Sequence, residues 1–181
     1  TFHPCSIQNE HNKLDARKLL DARKLLRVFL YSQGVGIDPF TMDFLLAGAD
    51  LSNTDLSGVN FANTYLNKTN FFCAQLQRTV LLCANLDSAN LNYADLSDSY
   101  TASAFMQRVD LSGAKLFDAD FSGADLSYAN LSSVNLAPPD GEVDDFASVR
   151  FDHATFVEAN CEKANLIECS FVGAEFASAN V

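Results

Sequence analysis

Large apolar residues recur at every fifth position of this chain, from Leu51 to the last residue. The segment 114–136, AKLFDADFSGADLSYANLSSVNL, shows the period most clearly. Its large apolar residues at this spacing are Leu116, Phe121, Leu126, Leu131 and Leu136. An α-helix repeats its apolar positions every three or four residues, and a half-buried β-strand repeats them every two. The period of five therefore predicts neither element, and it indicates a backbone that turns a corner after every five residues.

A second position in the same frame is usually small. Alanine is the commonest residue two places before each large apolar residue, and Asn or Asp usually stands between the two. One large and one small residue in every five can face the interior together if the other three face outward. Asn, Asp, Ser and Gly suit the corners that this requires. Only Thr101 and Gly141 clearly interrupt the large apolar position.

The tandem pattern A-[D/N]-L-x-x, seen as ADLSY and ANLSS at 124–133, closely resembles the pentapeptide-repeat family over residues 46–181. The resemblance implies an all-β fold, a right-handed quadrilateral β-helix with four pentapeptides in each coil. Such a solenoid would have about seven coils and, at about 4.8 Å per coil, a length of roughly 32 Å. Residues 20 apart would then stack, so that Phe121 would lie next to Gly141 in one interior column.

Two segments are expected to differ from the regular coils. The stretch 137–145, APPDGEVDD, keeps the frame, but its prolines cannot donate to a hydrogen-bond ladder. It predicts an irregular excursion from the β-helix at 137–145. Residues 1–45 form the second segment, in which 12–31 is rich in helix formers and lacks Gly and Pro. This segment predicts an N-terminal α-helical cap that covers the open first coil.

The helical segment contains an exact duplication, DARKLL at 15–20 and again at 21–26. Because a helix has 3.6 residues per turn, a six-residue repeat points its two leucine pairs in different directions. Either one copy faces a partner or the duplication is an artificial feature of the sequence. A basic helix could also lie on a membrane surface, but the acidic residues within it argue against that reading.

The charge of the chain is unevenly placed. Residues 1–45 carry six basic and five acidic side chains, whereas residues 46–181 carry six basic and eighteen acidic ones. An acidic body repels phosphate, so we expect no direct binding to nucleic acid or to an anionic membrane surface. No apolar run is long enough to span a membrane.

The cysteines and the first residue bear on localisation. An odd number of cysteines without C-x-x-C spacing favours neither a zinc site nor a paired disulfide framework, and it indicates a reducing compartment such as the cytoplasm. They are Cys5, Cys73, Cys83, Cys161 and Cys169. Cys73 and Cys83 are half a coil apart, too far for a disulfide with each other. Because the chain begins with Thr1 instead of Met, a targeting segment removed earlier remains open.

No arrangement of residues indicates catalysis. The sequence has no nucleophile elbow, phosphate-binding loop or paired-carboxylate motif, and a filled rod offers no concave pocket. Its histidines are His3, His11 and His153, and His153 has no ligand partner at the stacked position. We therefore predict no enzymatic activity, no cofactor and no metal site.

Binding is the remaining function, and a binding surface is expected where outward positions are unusually apolar. Val80 and Tyr100 should stack on one face, with Leu82 beside them and Phe105 around the next corner. We predict that these four residues bind a protein partner, which makes the chain a non-enzymatic structural or interaction scaffold. The other reading is that a loop covers them or that the stretch from Tyr100 to Phe105 turns inward.

Two further interpretations concern partners. The repeat runs to Val181 without a polar cap, so the last coil either forms a homodimer or belongs to a shortened chain. The family resemblance also implies an alternative function, since some members imitate B-DNA and modulate type II topoisomerases such as DNA gyrase. The acidic rod would carry about one charge per 2.7 Å against about one per 1.7 Å for duplex DNA, so the mimicry would be diluted.

Overall fold

The chain forms a stack of parallel β-bridges with a bridge at every fifth residue, as a computed structural model shows. The structure describes residues 46–134, 136, 149–164, 166 and 169–180. Each bridge in the first coils joins residues 20 apart. Successive examples are Asp50 with Asn70, Asp55 with Gln75, Asn60 with Val80 and Tyr65 with Asn85. Four bridges in each 20 residues define a four-sided coil, which confirms the predicted quadrilateral β-helix.

No α-helix or extended strand occurs in the part of the chain that the structure describes. The predicted helical cap in residues 1–45 lies outside the described residues, and it stays a prediction. The excursion predicted at 137–145 also falls outside them.

The corners are tight turns with one uniform geometry. In a representative corner, the Ala74 N–H donates to the Phe71 carbonyl at 2.9 Å, and the intervening Cys73 has a φ of 54°. A positive φ at the third residue of a four-residue turn, with a negative φ at the second, is typical of the type II turn. Every described residue two places after the interior large apolar position of the five-residue frame has a positive φ, and most of these residues are not glycine. The hydrogen bonds between coils therefore hold many L-residues in a conformation that they rarely adopt alone.

The frequent Asp or Asn before each large apolar residue has a structural role. The Asp110 Oδ1 atom accepts the backbone N–H of Ser112 at 2.9 Å and the Asn130 side-chain amide at 3.1 Å. The same bond to the backbone N–H two residues on recurs along the rod, for example from Ser127 to Asp125 at 3.0 Å. This local bond suits a turn, and it explains why Asp and Asn dominate the position. Many acidic side chains thus belong to the scaffold.

The interior contains the predicted columns of large and small side chains. Leu56, Leu76, Leu96 and Leu116 are fully buried, as are Ala84 and Ala94. Thr101, which interrupts the apolar pattern, is also fully buried, and its hydroxyl donates to the Asp120 carbonyl at 2.7 Å. The bond satisfies a polar group that would otherwise be costly to bury.

The stacking predicted beyond Phe121 is wrong. Asp120 pairs with Arg150 and Asp125 pairs with Thr155, so the offset between paired residues increases there from 20 to 30. Consequently Phe121 stacks on Phe151 at 5.2 Å between ring centroids and not on Gly141. Both 20 and 30 are multiples of five, so the sequence frame alone cannot distinguish the two offsets. The change of offset spans the range of the predicted excursion, and the number of coils stays a prediction.

Candidate interaction surface

The four predicted partner-binding residues lie near one another on the outside of the rod. Val80 and Tyr100 form a parallel bridge, so they occupy neighbouring coils of the same face. Leu82 is two residues after Val80, on the corner that ends this face. Phe105 is on the next face, where its N–H donates to the Ala84 carbonyl at 2.9 Å. We call Val80, Leu82, Tyr100 and Phe105 the corner patch.

Three members of the corner patch are exposed apolar side chains. The exposed fraction is 40% for Leu82, 53% for Tyr100 and 57% for Phe105, and Val80 is half-buried. These values do not fit the reading that the stretch from Tyr100 to Phe105 turns inward. Single exposed apolar residues are common, but a group of three on adjacent coils is less so.

Polar groups surround the corner patch. Tyr100 is bridged on its other side to Asp120, whose carboxylate forms an ion pair with Arg150. Phe105 is bridged to Asn85 on one side and to Asp125 on the other. An apolar centre with a polar rim is the usual composition of a protein–protein interface.

Asp125, beside Phe105, is held in its ionised form. Burial alone raises the pKa of this carboxyl, but hydrogen bonds from the Ser127 hydroxyl and the Gln107 amide, each 2.6 Å long, outweigh that effect. The pKa of Asp125 is therefore lowered. The Gln107 side chain spans 18 residues along the sequence to make its bond, so it ties one coil to the next.

Asp118, near Tyr100, has the opposite shift. Burial raises its pKa, the charge of Asp98 one coil away raises it further, and Arg150 only partly offsets both effects. Asp98 and Asp118 occupy the corner before the face of Val80 and Tyr100. The corner patch thus has two like charges beside it.

Most basic side chains in the described ranges are paired with acids. The ion pairs are Arg78–Asp98, Arg108–Asp87, Lys115–Asp95, Arg150–Asp120 and Lys163–Glu162. Most join neighbouring coils, and their exposure makes each of them worth little to stability. They leave the net charge unchanged, but each pair neutralises one acidic charge locally.

The sequence analysis did not predict two aromatic contacts outside the corner patch. The Arg108 guanidinium lies 5.4 Å from the centroid of the Tyr128 ring. Phe72 and Tyr93 form an edge-to-face pair with centroids 6.2 Å apart. Arg108 and Tyr128 are 20 residues apart, so the coil repeat contained the signal for the first contact. The second joins residues 21 apart and required the geometry.

The cysteines differ in disulfide bonding and in exposure. Cys73 forms a disulfide bond, whereas Cys83 is an exposed free thiol and Cys161 is a buried one. Burial raises the pKa of Cys161 and raises that of Cys169 to about 11, so both thiols resist ionisation. The disulfide at Cys73 weakens the argument from cysteine usage for a reducing compartment.

Neither a metal site nor a membrane span appears in the described ranges. No group of three or more His, Cys, Asp or Glu side chains is arranged to hold a metal ion there. His153 is exposed on a corner. The same ranges contain no helix of the length and apolarity needed to cross a bilayer.

Comparison with known proteins assigns the family. The family model for pentapeptide repeats matches in eight copies, over residues 45–81, 69–100, 105–137 and 145–181. The chain therefore belongs to the pentapeptide-repeat family, whose members form right-handed quadrilateral β-helices. A comparison with curated proteins finds no match to this sequence.

Several solved structures are similar in part. Rfr23, from the cyanobacterium Cyanothece 51142, is 21% identical with a TM-score of 0.46, and the match covers 67% of this chain and 63% of Rfr23. QnrB1, a plasmid-mediated fluoroquinolone resistance protein, is 15% identical with a TM-score of 0.45 over 75% of this chain and 84% of QnrB1. HetL of Nostoc sp. strain PCC 7120, which is involved in heterocyst differentiation regulation, is 22% identical with a TM-score of 0.25, covering 74% and 81%.

Proposed function

We propose that this protein is a non-enzymatic interaction scaffold that binds a protein partner through the corner patch. One observation carries the proposal: Leu82, Tyr100 and Phe105 are exposed together on a rod whose other outward positions are mostly polar. Aromatic residues often dominate the binding energy of interfaces when a polar rim keeps water away from them. The corner patch has both features.

The backbone beneath the corner patch favours such a role. Backbone hydrogen bonds to both neighbouring coils fix Val80 and Tyr100, among them Val80 N–H to the Val59 carbonyl at 3.0 Å and Leu81 N–H to the Tyr100 carbonyl at 2.7 Å. A surface that is already ordered loses little conformational entropy when it binds. A few apolar side chains can therefore provide useful affinity despite the small area.

A variant that converts the corner patch to ordinary repeat residues tests the proposal. The substitutions are Val80→Asn, Leu82→Ser, Tyr100→Asn and Phe105→Asn, each introducing a residue that the repeat commonly has at that position. We expect this patch variant to fold, because Asn at these bridge positions can accept the backbone N–H two residues on. Tyr128→Asn is the matched control, since it removes an exposed aromatic ring elsewhere.

The measurement is capture from an extract of the organism that makes the protein, followed by titration of the captured protein against the purified chain. We expect binding to the wild type and the Tyr128→Asn control, and a loss of at least about tenfold for the patch variant. A captured partner that binds the patch variant as tightly as the wild type would refute the proposal.

The alternative function is modulation of a type II topoisomerase such as DNA gyrase by imitation of DNA. The acidic excess of residues 46–181 supports it, but the ion pairs and the structural role of many aspartates weaken it. A DNA mimic would bind gyrase with an affinity that falls steeply as salt increases. Binding to gyrase that needs the corner patch and changes little with salt would favour the scaffold.

The homodimer predicted at the last coil is a second proposed contact. Phe171 and Phe176 are half-buried, whereas Phe151 and Phe156, one coil earlier, are fully buried. Light scattering coupled to size exclusion, on the wild type and on the patch variant, measures the mass. A dimer that persists in the patch variant is the result expected of a contact at the last coil.

A further inference from the structure

Two acidic side chains beside the corner patch are not explained by the fold. Asp98 and Asp118 stand on adjacent coils of one corner, where the Asp98 N–H donates to the Phe117 carbonyl at 2.8 Å. Each lies two residues before a bridge position, Tyr100 in one case and Asp120 in the other. The two carboxylates therefore border the column that contains the exposed Tyr100 ring.

The scaffold does not need these two charges. Both residues have positive φ values, 60° for Asp98 and 52° for Asp118, at the corner position where other repeats have Gly, Asn, Ser, Lys or Arg. Asp110 and Asp125, in contrast, accept backbone and side-chain hydrogen bonds that hold their turns. Asp98 contacts Arg78 at 3.6 Å, but that arginine side chain is 78% exposed.

The two carboxylates lie close enough for the charge of one to act on the other. Burial raises the pKa of Asp118, the charge of Asp98 raises it further, and Arg150 offsets only part of the rise. Two like charges that destabilise each other on a surface gain when a cation is placed between them. Arg78, 3.6 Å from Asp98, and Arg150 do not fully offset the negative charge at Asp118, whose pKa stays raised. The free protein therefore presents a site whose charge is complementary to a further cation, next to an apolar surface.

We infer that the partner of the corner patch presents an Arg or Lys side chain flanked by apolar ones, with the cation near Asp98 and Asp118 and the apolar groups on Leu82, Tyr100 and Phe105. This inference rests on the proposed function. The exposed Tyr100 ring can also receive a guanidinium on its face. Arg108 and Tyr128 already form that contact at 5.4 Å within this chain.

Other occupants fit the charges less well. Nucleic acid would bring phosphates toward Asp98, Asp118 and Asp120. A second copy of this chain has a formal net charge of −11, and most basic side chains in the described ranges are engaged in ion pairs. A separate basic and apolar segment is the occupant that the surface favours.

Selection from a library of random peptides displayed on phage tests the inference without a known partner. Four baits are used. They are the wild type, the patch variant, the double variant Asp98→Asn/Asp118→Asn, and the control double variant Asp50→Asn/Asp110→Asn. Asn tolerates positive φ, so the first pair of substitutions keeps the turns. The control pair also removes two charges, but Asp110 is half a coil from Tyr100, on the opposite face.

The most enriched peptide is then synthesised, together with a version in which Gln replaces each Arg and Lys, and both are titrated against all four proteins. We expect enriched peptides that combine Arg or Lys with aromatic or aliphatic residues and that do not bind the patch variant. Removing the charges of Asp98 and Asp118 should weaken peptide binding about three- to tenfold. Replacing Arg and Lys by Gln in the peptide should weaken it by a similar factor. The control pair of substitutions should change the affinity little.

The outcomes separate the two proposals. Peptides that need the corner patch but lack cations, or that bind Asp98→Asn with Asp118→Asn as tightly as the wild type, would overturn the inference and leave the scaffold function standing. Peptides enriched equally on the wild type and the patch variant, or no enrichment at all, would overturn both.

Discussion

At two corners that contain glycine, the cost of backbone strain can be told apart from the cost of a steric contact when a side chain is added. Gly58 and Gly113 both have a positive φ, near 70°, but a Cβ atom on Gly58 would meet nothing within 4 Å. A Cβ atom on Gly113 would lie 2.6 Å from the Tyr93 ring, so the ring would have to move. Backbone strain alone costs about 1 kcal/mol.

We therefore expect Gly58→Ala to lower the free energy of unfolding by about 1 kcal/mol and Gly113→Ala to lower it by more. Urea denaturation of the two variants measures the difference. Equal losses would show that Tyr93 moves away from residue 113 without cost, contrary to the close packing of the pair.

The raised pKa of Asp118, caused first by burial and then by the charge of Asp98, makes stability depend on pH. Because its pKa is raised on folding, the folded state binds the proton more tightly, and stability falls as pH rises from the ordinary value of 3.8 through the raised one. Asp118→Asn should therefore be more stable than the wild type at neutral pH, and the gain should disappear below the ordinary value. Thermal unfolding across pH measures it.

The Asp125→Asn variant is the control, because the pKa of Asp125 is shifted in the opposite direction to that of Asp118. The pKa of Asp125 is lowered on folding, so its ionised form stabilises the fold above the ordinary value of 3.8, and this contribution is lost as pH falls through the lowered pKa. The variant should be less stable than the wild type at neutral pH. A gain in stability for both variants at neutral pH would mean that general acidity, and not local contacts, governs the fold.

Each five-residue segment could be predicted from the sequence because its shape depends on local chemistry. Leu126 at the centre, Ala124 before it and Asp125 between them have the roles that size and turn preference assign. The pairing between segments was less predictable. Phe121 stacks on Phe151 because the offset increases to 30, and a frame of five is compatible with either offset.

A deletion tests this description of the coils. Removing residues 137–146 shortens the chain by ten residues, keeps the frame of five and lets Phe121 and Phe151 stack at the ordinary offset of 20. We expect the variant to keep the circular dichroism spectrum of the β-helix and to unfold at no lower temperature, since a shorter connection costs less entropy to close. Loss of the cooperative transition would show that the ladder requires those ten residues.

For the whole rod, the excess of acidic residues is a poor guide to function. The sequence revealed the excess of acids, but not that Asp110 and Asp125 hold turns or that Arg150 pairs with Asp120. Those contacts depend on which residues the coils bring together. Asp98 and Asp118 stand apart because no turn uses their charge.

The location of the corner patch could be predicted because Val80 and Tyr100 are 20 residues apart, before the offset changes. Its exposure required the structure, since an outward position can still be covered by another part of the chain. Tyr128 shows the difference: the residue is 48% exposed, yet the Arg108 guanidinium lies over its ring.

Photo-crosslinking from the corner patch tests the scaffold function most directly. The photoreactive amino acid p-benzoylphenylalanine replaces Phe105 in one protein and Tyr128 in a control, and both are irradiated in cells of the organism that makes the chain. We expect a discrete crosslinked partner from position 105 and none from position 128, because the corner patch is the proposed binding surface. No adduct from position 105, or the same adducts from both positions, would contradict the proposed function.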